Sequence, residues 1–244
     1  MKKTLQISAA DGGSFSAYAA YPDTDLPAPA VIVIQEIFGV NAVMRGICDN
    51  LALAGFVAVC PDLFWRQEPG IDITDKSEAE WKKAFSLYNG FNVDLGVEDL
   101  KATLEYVREK DDDTTRQVGT LGYCLGGRLA YLMAARSDAD CNVAYYGVGI
   151  EELLDEAPAI KKQLLMHIAE KDKFVPIAAQ QKILTALNKH RNIEIHVYPD
   201  VDHAFAREGG EHYDKEAARQ ANARTADFLA SHLTKAKKAN AGTR

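Results

Sequence analysis

Cysteine is scarce in this chain. Four are spread over 244 residues, at Cys48, Cys60, Cys124 and Cys141. None forms a Cys-x-x-Cys pair and no dense framework exists, so reduced thiols in a cytoplasm are expected. Long apolar runs are missing too. No stretch approaches the roughly 18 residues needed to span a bilayer. No apolar segment follows the basic start at Met1–Thr4, so no secretory leader is expected. Basic charge is in deficit, with 28 Lys and Arg against 35 Asp and Glu, a net charge of -7. That argues against nucleic acid or an anionic membrane as partner. The one basic run, Lys235–Lys238, falls in a tail, 235–244, that reads as flexible. Repeats, low-complexity blocks and linkers are absent as well. The chain therefore reads as one domain over 1–244, acting as a monomer or weak homodimer. A domain of this size buries roughly 70–75% of its unfolded surface, enough for a core without disulfides or metal.

What is present is an alternation. The opening predicts a hairpin: Leu5–Ala9, a turn at Asp11-Gly12-Gly13, then Phe15–Tyr21. Apolar runs follow at Ala30–Ile34, Phe56–Cys60, Val118–Leu121, Val143–Tyr146, Leu164–Ile168 and Ile193–Val197. Several are continuous, as expected of strands buried on both faces of a parallel sheet. Between them lie helical stripes: Val43, Ile47, Leu51 and Ala54; Val97, Leu100, Leu104 and Val107; Ile183, Leu184 and Leu187. A last helix is expected from about Tyr213 to Leu233. The order predicts an α/β fold with a doubly wound, mostly parallel sheet and an N-terminal antiparallel hairpin. One segment, Asp62–Gly96, contains no strand but a helix opened by a Ser77/Glu80 capping box. Trp81, Phe85 and Tyr88 share its face, which reads equally as core packing or as a small cap over a site.

Sites in such sheets form beyond the carboxyl ends of the strands. The clearest signal there is Gly122-Tyr123-Cys124-Leu125-Gly126-Gly127, after one strand and before a helical pattern over Leu125–Arg136. This is the nucleophile-elbow pattern, with Cys in place of Ser. A sharp strand-to-helix turn strains the nucleophile's backbone, so its flanks must be glycines. It also seats the sulfur at a helix N-terminus, where a thiolate is favoured. The bland alternative is a buried structural Cys in a tight turn. Asp172 follows the strand Leu164–Ile168, and His203 follows Ile193–Val197, giving the chain order nucleophile, acid, histidine. Glu170, Asp200 and Asp202 compete for the acid's role. His203 is the only one of six histidines placed directly after a strand.

The loop Gln35-Glu36-Ile37-Phe38-Gly39 follows the strand Ala30–Ile34. Loops at that position supply one oxyanion N–H, assigned to Ile37, and the residue after the nucleophile, Leu125, supplies the other. Glu36 then enters the pocket, where its charge disfavours a thiolate; alternatively, it pairs with an arginine.

These segments, together with Cys60-Pro61-Asp62-Leu63, Tyr145-Tyr146-Gly147-Val148-Gly149, Phe174-Val175-Pro176 and His203-Ala204-Phe205-Ala206-Arg207, resemble the dienelactone hydrolase family (carboxymethylenebutenolidases). The likeness runs from Ile34 to Leu229. It implies an α/β-hydrolase fold, no cofactor or metal, and a Cys124–His203–Asp172 triad. The implied reaction is hydrolysis of a small ester or lactone, such as dienelactone (4-carboxymethylenebut-2-en-4-olide) to maleylacetate. The resemblance further implies that Glu36 holds the resting thiol away from the histidine, that Arg207 binds a substrate carboxylate and that Tyr145 lines the site. Trp81 and Phe85 fall where the family carries a second arginine and a tyrosine, so one carboxylate clamp is lost. The alternatives are a hydrolase of the same fold on another ester or thioester, and a non-catalytic thiol redox sensor.

Overall fold

The computed structural model describes Met1–Thr234; the basic run and tail expected over 235–244 lie outside the described residues. Eight strands form one sheet in the order β1-β2-β4-β3-β5-β6-β7-β8. They are β1 Lys2–Ser8, β2 Ser14–Ala20, β3 Ala28–Ile34, β4 Val57–Pro61, β5 Thr114–Tyr123, β6 Cys141–Tyr145, β7 Gln163–Ala169 and β8 Ile193–Tyr198. The expected hairpin is present as β1 and β2, which pair antiparallel, and β2 pairs antiparallel with β4. From β4 to β8 every pairing is parallel. The continuous apolar runs are the central strands: β4 and β6 are buried at every residue.

Six α-helices connect the strands: α1 Ala42–Leu53, α2 Glu78–Asn89, α3 Val93–Glu109, α4 Leu125–Arg136, α5 Ile177–Leu187 and α6 Lys215–Leu233. The stripe Val97, Leu100, Leu104 and Val107 is the buried face of α3. On α1 the fully buried line is Met44 and Cys48, one position on from the predicted stripe, and Ala54 is the cap beyond the helix. α6 starts at Lys215 because the Asp214 side chain accepts from the Ala217 N–H and caps it there. α1 and α6 line a shared surface hollow on one face of the sheet, and α3 packs on α4 on the other.

Most strand boundaries differ from the apolar runs by one to three residues, and two differences have a clear backbone cause. β5 begins at Thr114, four residues earlier than expected, in a polar stretch with Arg116 at φ 69 and a register shift against β3. A bulge of this kind hides a strand start from any search for alternation. At the other end, β6 stops at Tyr145, and Tyr146 turns out of the strand with φ 37.

The junction of β5 and α4 leaves no space for side chains. A Cβ on Gly126 would lie 2.2 Å from the Ile34 carbonyl oxygen, and one on Gly122 would lie 1.9 Å from that of Gly126. Gly126→Ala is therefore expected to cost at least about 2–3 kcal/mol, the upper range for overpacking. Gly46, inside α1 with nothing within 4 Å of its Cβ position, provides the contrast. Gly46→Ala should stabilise by about 0.5–1 kcal/mol through helix propensity. Urea titration checks both. A Gly126→Ala protein as stable as wild type would refute the close-approach account.

Candidate active site

Cys124 stands between β5 and α4 with φ 55 and ψ -114, a conformation that side chains rarely adopt. Its N–H donates to the Tyr145 carbonyl at 3.0 Å, and its carbonyl accepts the Arg128 N–H at 3.1 Å. The turn is thus fixed from both sides and aims the thiol outward from the sheet. Leu125 is the first residue of α4, so its N–H belongs to the first turn, whose donors have no acceptor inside the helix. Ile37, after β3, lines the same cavity as Cys124.

His203 and Asp172 come together as expected. His203 Nδ1 lies 2.8 Å from Asp172 Oδ2, and both side chains are buried. The other oxygen, Asp172 Oδ1, accepts the N–H groups of Phe174 at 2.8 Å and Val175 at 3.2 Å, which orients the carboxylate. The competing acids are occupied elsewhere. Glu170 accepts the Asp200 N–H, Asp202 accepts the His203 N–H, and Asp200 is exposed beside Lys171. They stitch the two loops together and leave Asp172 to the ring.

The His203 ring sits between Tyr146 and Phe174, with centroids 5.0 and 4.9 Å away. Burial alone lowers its pKa, but the Cys124 charge and hydrogen bond, with Asp172, outweigh it and push the value up to about 10. The thiol and imidazole therefore sit close enough to form an ion pair. Because the folded value lies above that of a free histidine, the pair's contribution to stability is full below about pH 6.5. It fades as pH rises through about 10.

Glu36 is buried, and its Oε2 accepts from Arg207 Nη1 at 3.2 Å. Its Oε1 has no hydrogen-bond partner. The expected hold of Glu36 on the thiol is not the arrangement seen: the carboxylate sits on Arg207, and Cys124 interacts with His203. The arginine alternative raised for Glu36 describes this state.

Trp81 and Phe85 stack at 5.5 Å and line the cavity, joined by Tyr88 one turn on. α2 has both expected roles, since Ala84 and Leu87 on its other side are core residues. Phe38, Val148, Phe174 and Arg207 complete the lining. The space is narrow, about 50 Å³, with Phe174 (46% exposed) and Phe85 (39%) at its mouth. A larger hollow of about 840 Å³ lies elsewhere, near Tyr21 and Leu53, and its lining includes no cysteine, serine or histidine. Among the described residues no cluster of His, Cys, Asp and Glu is arranged to hold a metal ion.

Tyr145 is not part of this cavity. It stands in register with Tyr123 and His167 on neighbouring strands, so its ring points to the face covered by α6. There its hydroxyl donates to Asn222 Oδ1 at 3.0 Å and lies 2.6 Å from Thr225 Oγ1. The next residue, Tyr146, reaches the site instead because its positive φ breaks the strand alternation. Sequence reasoning also missed Asp75, whose Oδ2 lies 3.2 Å from Arg207 Nη2. No pattern around Asp75 marks it, since only the folded strap brings it to Arg207.

A sheet of this order with a strained strand-to-helix turn after β5, answered by an acid and a histidine after β7 and β8, defines an α/β-hydrolase fold. The comparisons narrow the class. The model of the dienelactone hydrolase family matches residues 15–233, and the chain belongs to that family. A carboxymethylenebutenolidase homologue of Azospirillum brasilense is 54% identical over 229 residues, covering 94% of this chain and 98% of its own. Carboxymethylenebutenolidase 1 of Cupriavidus pinatubonensis is 41% identical, covering 93% and 95%. The solved structure of a dienelactone hydrolase homologue from Klebsiella pneumoniae has a TM-score of 0.80 at 28% identity, covering 97% of this chain and 100% of that one. The chain is thus a hydrolase of this family. No helix among the described residues is long and apolar enough to cross a membrane.

A His203 titration followed by NMR checks the ion pair. The imidazole should stay protonated to about pH 10 in the wild type. Cys124→Ala should lower the value, because burial would then be opposed by Asp172 and no longer by the thiolate. An unmoved titration would show that thiol and imidazole do not interact.

Proposed function

We propose that this chain hydrolyses a small ester or lactone with Cys124 as nucleophile. The observation that carries the reading is the elbow sulfur opening into an apolar cavity beside a histidine already oriented by a buried carboxylate. The thiolate adds to the substrate carbonyl. The N–H groups of Ile37 and Leu125 hold the oxyanion, each such donor being worth roughly 3–4 kcal/mol. The imidazolium of His203 gives its proton to the leaving oxygen, and a thioester remains on Cys124. Neutral His203, held by Asp172, then takes a proton from water as it attacks that thioester. The product acid leaves, and the thiol and imidazole share the proton again.

The substrate is a small ester or lactone built like dienelactone, with dienelactone itself, which bears a carboxylate, turned over less efficiently than a neutral counterpart. A carboxylate-bearing lactone would be a poor member of the set, because Trp81 stands where a second clamp is expected and Arg207 already faces two acids. A thiol nucleophile needs a reducing compartment, so we place the enzyme in the cytoplasm.

Cys124→Ala should reduce turnover of a p-nitrophenyl acyl ester by at least a thousandfold while leaving the fold intact by circular dichroism. Activity within tenfold of wild type would remove Cys124 from this role.

A further inference from the structure

Arg207 is the only lysine or arginine on the cavity lining among the described residues, and it is buried. Its fork holds two carboxylates from separate segments: Nη1 meets Glu36 Oε2 at 3.2 Å, and Nη2 meets Asp75 Oδ2 at 3.2 Å. The guanidinium therefore faces two negative charges, and the only other cation beside them among the described residues, Lys76 Nζ, lies largely exposed 3.3 Å from Asp75 Oδ1. Only Nε is free of a partner. The face of the guanidinium lies over Phe38, 5.1 Å from the ring centroid.

Asp75 is well fixed. Its side chain is 8% exposed, and its backbone carbonyl accepts Trp81 Nε1–H at 3.0 Å. Two further bonds tie down the strap that carries it. Glu80 accepts the Thr74 N–H at 2.8 Å, and Lys76 Nζ donates to the Gly209 carbonyl on the Arg207 loop. A substrate carboxylate seeking a bidentate grip on Arg207 must expel Glu36 or Asp75. Expelled Glu36 would be left buried and unpaired, expelled Asp75 would keep only the exposed Lys76 Nζ at 3.3 Å, and the acid that stayed would repel the newcomer. A neutral substrate meets no such penalty among Phe38, Trp81, Phe85, Tyr88, Val148 and Phe174.

We propose that Asp75 is a specificity-determining residue: by occupying Nη2 of Arg207 it turns an anion clamp into a neutral wall, so that the site selects small uncharged esters or lactones over carboxylate-bearing ones. The inference deepens the proposed function and rests on that reading for its substrate class. Asp75 acts through Arg207 and does not itself touch the reacting atoms.

The test uses two alkylating agents of nearly equal size, neutral iodoacetamide and anionic iodoacetate, on Cys124 of the full chain. Wild type should react with iodoacetate at a lower rate relative to iodoacetamide than a free cysteine does. Asp75→Asn should raise the iodoacetate-to-iodoacetamide ratio about tenfold, and Asp75→Glu should keep the wild-type ratio. A matched ester pair, p-nitrophenyl hemisuccinate and p-nitrophenyl butyrate, should show the same shift in kcat/KM, mainly through KM. A merely structural Asp75 would slow both reagents together and leave the ratio where it was, which would overturn the proposal. So would a wild-type ratio no lower than that of free cysteine, a measurement that needs no variant. If the alkylation ratio shifts but neither ester is turned over, the selectivity stands and the hydrolase reading falls. If esters are cleaved and neither ratio moves, only the role of Asp75 falls.

Discussion

The site depends first on one strained backbone position. Cys124 is held at positive φ because the chain on both sides is fixed: β5 is locked between β3 and β6, and α4 starts at once. Strain of this kind costs of order 1–3 kcal/mol and persists only where the surroundings enforce it. They do so through backbone packed on backbone, around Gly122, Gly126 and Gly127. The same geometry makes Leu125 the first residue of α4, and Ile37, on the loop continuing from β3, lines the same cavity as Cys124. Cys124, Leu125 and Ile37 are thus set by the sheet itself, while Asp172 and His203 arrive on the loops after β7 and β8.

A second knot of charge shapes what enters. Arg207 joins the loop after β3, the strap before α2 and the loop after β8 through Glu36, Asp75 and its own backbone. Its bonds are internal, so the cavity has a cation on its wall with little charge to offer. Aromatic side chains supply the rest of the surface. Glu36, one residue before Ile37 on the loop after β3, is engaged with the arginine.

Much of this was legible in the sequence, for physical reasons that differ by element. The central strands were readable because burial on both faces leaves only apolar residues, and the elbow because glycine is the only residue that fits its flanks. Asp172 and His203 were readable from their positions after strands. The start of β5 was not, since a bulge at Arg116 interrupts its pattern. Tyr145, which the family resemblance put at the site, points to the face covered by α6, while Tyr146 turns toward His203 with a positive φ that no pattern announces. Asp75 was invisible because its partner is far away in sequence and only the fold joins them. Likewise, whether Glu36 meets the thiol or Arg207 depends on side-chain packing that no motif encodes.

The account stands or falls on a covalent acyl intermediate at the elbow. Rapid acid quenching during turnover of a slow p-nitrophenyl ester, followed by peptide mass spectrometry, measures it directly. The predicted result is the acyl group's added mass on the peptide containing Cys124, accumulating in a burst that matches p-nitrophenol release. Turnover with no adduct, an adduct at another residue, or only oxidised forms of Cys124 would contradict it.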